Sequence, residues 1–112
     1  MLVAMAEDVP ALERMKPGNK PHPIDRVLHD GDTVALGGTT LTAHLTPGHT
    51  KGCTTWTTTV EDAGKKLNAI FVCSARISEG VALVNNANYP EIASDFRKTF
   101  AILKDMPVDV FF

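Results

Sequence analysis

The stretch from Thr33 to Leu45 reads TVALGGTTLTAHL. Two short runs suited to strands flank Gly37-Gly38. A tight two-residue hairpin turn needs positive φ at both central positions, and glycine adopts that conformation without a steric penalty. The pattern predicts an antiparallel hairpin and commits the middle of the chain to β structure. Every other segment has to be arranged around that sheet.

The remaining elements follow from local patterns. Leu2 to Ala6 is a short apolar run that reads as a buried strand. Glu7 to Met15 reads as a short helix, with Pro10 near its first position, where a missing N–H is tolerated. Lys16 to Pro23, rich in Pro, Gly and Asn, is a surface loop. Cys53 to Val60 and Leu67 to Ser74 read as a second hairpin, joined by a polar turn from Glu61 to Lys66. Residues 75–90 carry no clear period. Glu91 to Met106 is the clearest helix, with Ile92, Phe96, Phe100 and Leu103 forming one apolar stripe. Pro107 stops it, and Val108 to Phe112 is a final strand.

At 112 residues the chain has room for one small domain. A net charge of −2 gives no electrostatic footprint for nucleic acid or an anionic membrane. No apolar run approaches the ~20 residues that span a bilayer. The N-terminal MLVAMAEDVP lacks the basic start and long apolar stretch of a signal peptide. The chain begins directly in a strand and stops on an apolar Phe-Phe, so both ends look cut from something larger.

His49 is the residue most suited to chemistry. Thr46-Pro47-Gly48 places it on a sharp loop at the end of a strand, a position from which functional side chains often project. Neutral imidazole is also a common zinc ligand. His22 lies between prolines, and His29 and His44 lie in or near strands. None of them stands at a usual ligand spacing from His49. Trp56 is expected in the core between sheet and helix, among threonines whose β-branching suits strands. Cys53 and Cys73 fall nearly opposite each other when counted inward across the Glu61 to Lys66 turn. Cross-strand Cβ atoms lie about 4.5–5.5 Å apart, within reach of a bridge after modest twisting. Two buried thiols fit the same pattern, and the residues alone leave both open.

The longer string VLHDGDTVALGGTTLTAHLTPGHTKGCTTW resembles the metallo-β-lactamases, in particular the third subclass of these zinc enzymes. The resemblance continues through FVCSARIS and LVNNANYPEIASDFRKTFAILKDMPVD and covers nearly the whole chain. It implies that His49 binds the first zinc together with two upstream histidines. Ser74 matches a serine near the second zinc that holds a water or helps to place substrate. Where relatives often carry a second serine, this chain has Arg76, which can itself pair with a carboxylate. Members of the subclass carry a disulfide at the Cys53–Cys73 pair, so the resemblance implies a bridge in an oxidising compartment.

The implied fold is an α/β (α+β) one. It is an αβ/βα sandwich with mixed sheets, hairpins and flanking helices, of which residues 1–112 make one partial domain. The implied function is β-lactam hydrolysis by a zinc-bound hydroxide, in the periplasm or outside the cell. The family's His-x-His-x-Asp-His motif is absent from this sequence and is expected upstream of it. A final ligating histidine is expected beyond Phe112. Of the family's zinc ligands the sequence therefore carries His49 alone. Zinc is expected to bind weakly or not at all to this chain by itself, since a catalytic site has three protein ligands. The sheet face left uncovered calls for a second copy or a complementing segment. The alternative function is a non-catalytic, self-associating or binding module built on the same fold.

Overall fold

The computed structural model describes residues 1–16, 18 and 23–112. His22 and much of the loop predicted around it lie outside the described residues. Strand β1 (Val3–Met5) leads through a 3-10 turn (Ala6–Asp8) into helix α1 (Val9–Arg14). Strand β2 (Arg26–Leu28) then returns parallel to β1, with Val3 opposite Arg26 and Met5 opposite Leu28. Strand β2 was not predicted. Three residues ending in one buried leucine carry too little periodicity to mark a strand, and pairing with β1 makes it one.

A second sheet has the order β3-β4-β5-β6-β7 and is mixed. Strands β3 (Thr33–Leu36), β4 (Thr39–Leu45), β5 (Thr54–Asp62) and β6 (Lys65–Phe71) form an antiparallel meander. Strand β7 (Val110–Phe111) joins β6 in parallel, after helix α2 (Ile92–Asp105). Gly37 and Gly38 have φ of 53° and 82°, as the sequence demanded. The second turn is shorter than predicted. Strands β5 and β6 run on through the charged residues to Asp62 and Lys65, and only Ala63 and Gly64 turn, with φ of 50° and 76°. Both are two-residue turns with positive φ throughout, the kind whose twist matches that of paired strands.

The core lies between the two sheets. Met5 and Leu28 from the small sheet meet Val34 and Ala43 from the large one, and Val3, Leu45 and Trp56 pack against them. Trp56 therefore sits between sheet and sheet rather than between sheet and helix. It pairs with Ala43 across β4 and β5, so its ring emerges on the face that β1 and β2 cover.

Helix α2 buries Ile92, Phe96 and Thr99. The predicted stripe is rotated at one position, since Phe100 is 53% exposed and Thr99 takes the inward place. The reason is a hydrogen bond. The Thr99 hydroxyl donates to the Pro47 carbonyl at 2.6 Å, which fixes the helix face toward the loop before His49. The strand expected to reach Ser74 ends at Phe71. Beyond it, the Val72 N–H donates to the Phe112 carbonyl, and the Phe71 and Phe112 rings stack at 4.8 Å.

Candidate functional site

His49 stands on a loop that is clamped on several sides. On one side is α2. Gly48 has a φ of +141°, and a Cβ there would lie 2.7 Å from the Phe96 ring. Only glycine lets the backbone come this close. Thr99 holds the Pro47 carbonyl next to it. On the other side is Asp8. Its carboxylate accepts from the Thr50 hydroxyl at 2.9 Å and from the Gly52 N–H at 2.7 Å. Gly52 is tight as well, since a Cβ there would meet the Asp8 Cγ at 2.6 Å. Asp8 is the N-cap of α1 yet makes no capping hydrogen bond, because its carboxylate is engaged by the 50–52 loop instead.

The third clamp is covalent. Cys53 and Cys73 form a disulfide with Cα atoms 5.8 Å apart. It ties the end of the His49 loop to the segment leaving β6. Beneath it, the Thr46 hydroxyl pairs with the Thr55 hydroxyl at 2.8 Å and reaches the Cys53 carbonyl at 3.2 Å, so these buried polar atoms are satisfied.

The imidazole itself is exposed, and its Nδ1 lies 2.8 Å from the main-chain carbonyl of Arg76. A carbonyl only accepts, so Nδ1 carries the proton. In the neutral ring Nε2 then keeps its lone pair, and it has no hydrogen-bond partner among the described residues. Ser74 and Arg76, both exposed, lie on this same rim. The Ser74 Oγ accepts from the Arg76 N–H at 3.1 Å. The structure thus brings together three residues singled out in the sequence. It does not bring the other histidines to them. His44 Nε2 is bonded to the Thr57 hydroxyl at 2.7 Å on the threonine-rich face of the large sheet. His29 belongs to a local turn with Asp32.

An open cleft of about 420 Å³ lies beside His49, lined among others by Asn85, Asn88, Tyr89 and Ile92. The Tyr89 hydroxyl donates to Asp95 at 2.5 Å. Burial, reinforced by the Asp95 hydrogen bond and charge, pushes the phenol well above its ordinary range. The Lys51 ammonium lies 5.3 Å from the centre of the Tyr89 ring.

Comparison with solved structures shows which fold carries this arrangement. Over 97% of the chain, the fold superposes with a TM-score of 0.87 and 40% identity on the native FEZ-1 metallo-β-lactamase from Legionella gormanii. The chain has part of the metallo-β-lactamase fold. A second metallo-β-lactamase, the subclass B3 enzyme BJP-1 of Bradyrhizobium japonicum, matches the whole chain at a TM-score of 0.85 and 41% identity. A third, the class B3 di-zinc metallo-β-lactamase LRA-12 from an Alaskan soil metagenome, matches 98% of it at 0.84 and 26%. Among curated proteins, a probable metallo-hydrolase of Burkholderia pseudomallei is 54% identical over 35 residues, 31% of this chain and 12% of that protein. No family model matches the chain. The chain spans about half the length of the metallo-β-lactamases it matches, 47% of FEZ-1 and 46% of BJP-1 and LRA-12.

As a test of metal fit, His49 suits one ligand position, with an exposed ring and an Nε2 that has no hydrogen-bond partner among the described residues. Among the described residues, no group of three or more His, Cys, Asp or Glu side chains is placed to hold a metal ion. The described residues therefore do not close a zinc site by themselves, and no catalytic step through zinc follows from them. Among the same residues, no helix is long and apolar enough to cross a membrane.

The sequence reading missed Asp8, Gly52 and Thr99 as supports of the loop. Their partners lie 42, 44 and 52 residues away, and no local pattern signals such pairs.

Proposed function

We propose that this chain is part of a zinc-dependent hydrolase of metallo-β-lactamase type, with a β-lactam as substrate and the periplasm or cell exterior as its place of action. The observation that carries the reading is the His49 loop. Pro47, Gly48, Asp8, the disulfide and Arg76 all contribute to fixing one exposed imidazole whose Nε2 has no partner among the described residues. In this reading His49 is one zinc ligand, and the remaining ligands come from outside the described residues. Zinc, when bound, supplies Lewis acidity to such a site. The chain's own residues orient what binds. Ser74 presents a hydroxyl on the His49 rim, and the Arg76 guanidinium is suited to a substrate carboxylate. The chain alone is expected to be inactive and to bind zinc weakly.

The test is complementation. The chain is joined to the portion of FEZ-1 that it does not cover, and hydrolysis of a chromogenic lactam is followed with and without zinc. The expected result is zinc-dependent hydrolysis that His49→Ala abolishes. Equal hydrolysis by the His49→Ala chimera would remove His49 from the metal site. The second reading, a self-associating module without catalysis, draws on the exposed aromatic edge of Phe71, Phe111 and Phe112. Its test is the mass of the chain in solution by light scattering, where a stable dimer that leaves the chimera inactive would favour it.

A further inference from the structure

We infer that the Arg76 main-chain carbonyl, held by Ser74 and the Cys53–Cys73 bridge, is a positioning group that sets the tautomer of His49. The inference rests on the reading of His49 as a ligand, but its evidence is independent of any metal. An imidazole free in water favours the proton on Nε2, which would leave Nδ1 as the available donor atom. The ring nitrogen that binds a metal is set by the hydrogen bond the other one makes. Here Nδ1 lies 2.8 Å from an oxygen that only accepts, so the structure selects the less common form and leaves the Nε2 lone pair unengaged.

The carbonyl is not held by the Arg76 side chain, which is exposed and has no hydrogen bond among the described residues. It is held by its own backbone. The Ser74 Oγ accepts the Arg76 N–H two residues on, a turn that fixes the 74–76 segment. One residue earlier, the disulfide anchors that segment to the far end of the His49 loop. The Cys73 N–H adds a bond to the Thr55 hydroxyl at 3.3 Å. Loop and carbonyl are thus tied to each other across 27 residues of sequence. Ser74 accordingly acts through His49 as well as on the rim itself, and Arg76 has a backbone role separate from that of its guanidinium.

The experiment is a long-range proton–nitrogen correlation spectrum of the nitrogen-labelled 112-residue chain, stripped of metal with a chelator. It is recorded at about pH 8, where an ordinary imidazole is neutral. The His49 signals are identified by their loss in His49→Gln. The expected result is a majority of the Nδ1–H form at His49. Arg76→Ala should leave the His49 ratio unchanged, since the carbonyl remains. Ser74→Ala should move it toward Nε2–H by roughly fivefold, the size of effect that one ordinary hydrogen bond supplies. A majority of Nε2–H at His49 in the unaltered chain would overturn the inference, whether or not Ser74→Ala folds. An unchanged ratio in a folded Ser74→Ala would remove Ser74 from it. Failure of the zinc reading is seen separately, as lactam hydrolysis that does not need His49.

Discussion

Replacing Gly48 by alanine tests the packing of the histidine loop most directly. The added Cβ would sit 2.7, 2.8 and 2.9 Å from three atoms of the Phe96 ring, closer than carbon atoms approach one another. Phe96 is 5% exposed and has little room to withdraw. Overpacking of this kind costs about 1–3 kcal/mol. The backbone adds a second cost, because φ at position 48 is +141° and an L-residue is strained there by about 1–3 kcal/mol. The expected loss for Gly48→Ala is therefore about 3 kcal/mol. In a domain of this size, each kcal/mol moves Tm by roughly 4 °C, which gives a drop of about 12 °C. Urea unfolding followed by Trp56 fluorescence measures the loss, and Phe96→Leu separates its two parts. With the ring gone the steric part is relieved and the strain remains, so the double variant should be more stable than the sum of the singles by about 1 kcal/mol or more. A Gly48→Ala chain within about 0.5 kcal/mol of the parent would refute the argument. So would strict additivity with Phe96→Leu.

Other outcomes follow from the same structure. The disulfide closes a 20-residue separation, worth about 3 kcal/mol by the chain-entropy relation. Reduction should lower the urea midpoint accordingly, and the non-reduced chain should weigh two hydrogens less than its sequence. Phe96→Ala should cost about 3–5 kcal/mol. Phe100→Ala, on the exposed side of α2, should cost about 1 kcal/mol or less, and equal losses would restore the stripe read from the sequence. For Tyr89, burial and then Asp95 raise the phenol above its unfolded value, so the folded chain holds the proton longer. The associated stability is fully present below about pH 10 and is lost as pH rises above it. Urea midpoints from neutral to strongly alkaline pH should therefore fall at the top of the range, less steeply in Asp95→Asn, and an identical profile in that variant would contradict the assignment.

The parts legible in the sequence were those fixed by neighbours. Gly37-Gly38 specified its turn because two adjacent positive φ values select glycine. The Glu91 to Met106 segment declared its helix through an apolar stripe running from Ile92 to Leu103. The errors came where distant groups decided the outcome. Phe100 looked equivalent to Phe96 by spacing, until the Pro47 carbonyl drew Thr99 inward and turned Phe100 out. Trp56 was correctly read as a packing residue but given the wrong partner, since strand β2, which completes its pocket, left no trace in the pattern. At the site, the Pro-Gly step pointed to His49. The quoted motifs supplied the family, Ser74, Arg76 and the cysteine pair. The hydrogen bond that orients the ring was not legible, because it comes from a backbone oxygen, which every residue possesses.

The long sequence separations of the loop's clamps carry a kinetic consequence. The β3–β4 and β5–β6 hairpins close through two-residue turns, so their contacts are local and form early. Asp8 reaches Gly52 across 44 residues and Thr99 reaches Pro47 across 52, and both must wait for large loops to close. The shape around His49 is then expected to be completed late, after the transition state for folding has been crossed. Weakening either clamp should leave the refolding limb of a chevron plot nearly in place and raise the unfolding limb. The histidine loop is in that sense the latch of the molecule, among the last parts to close and the first to open.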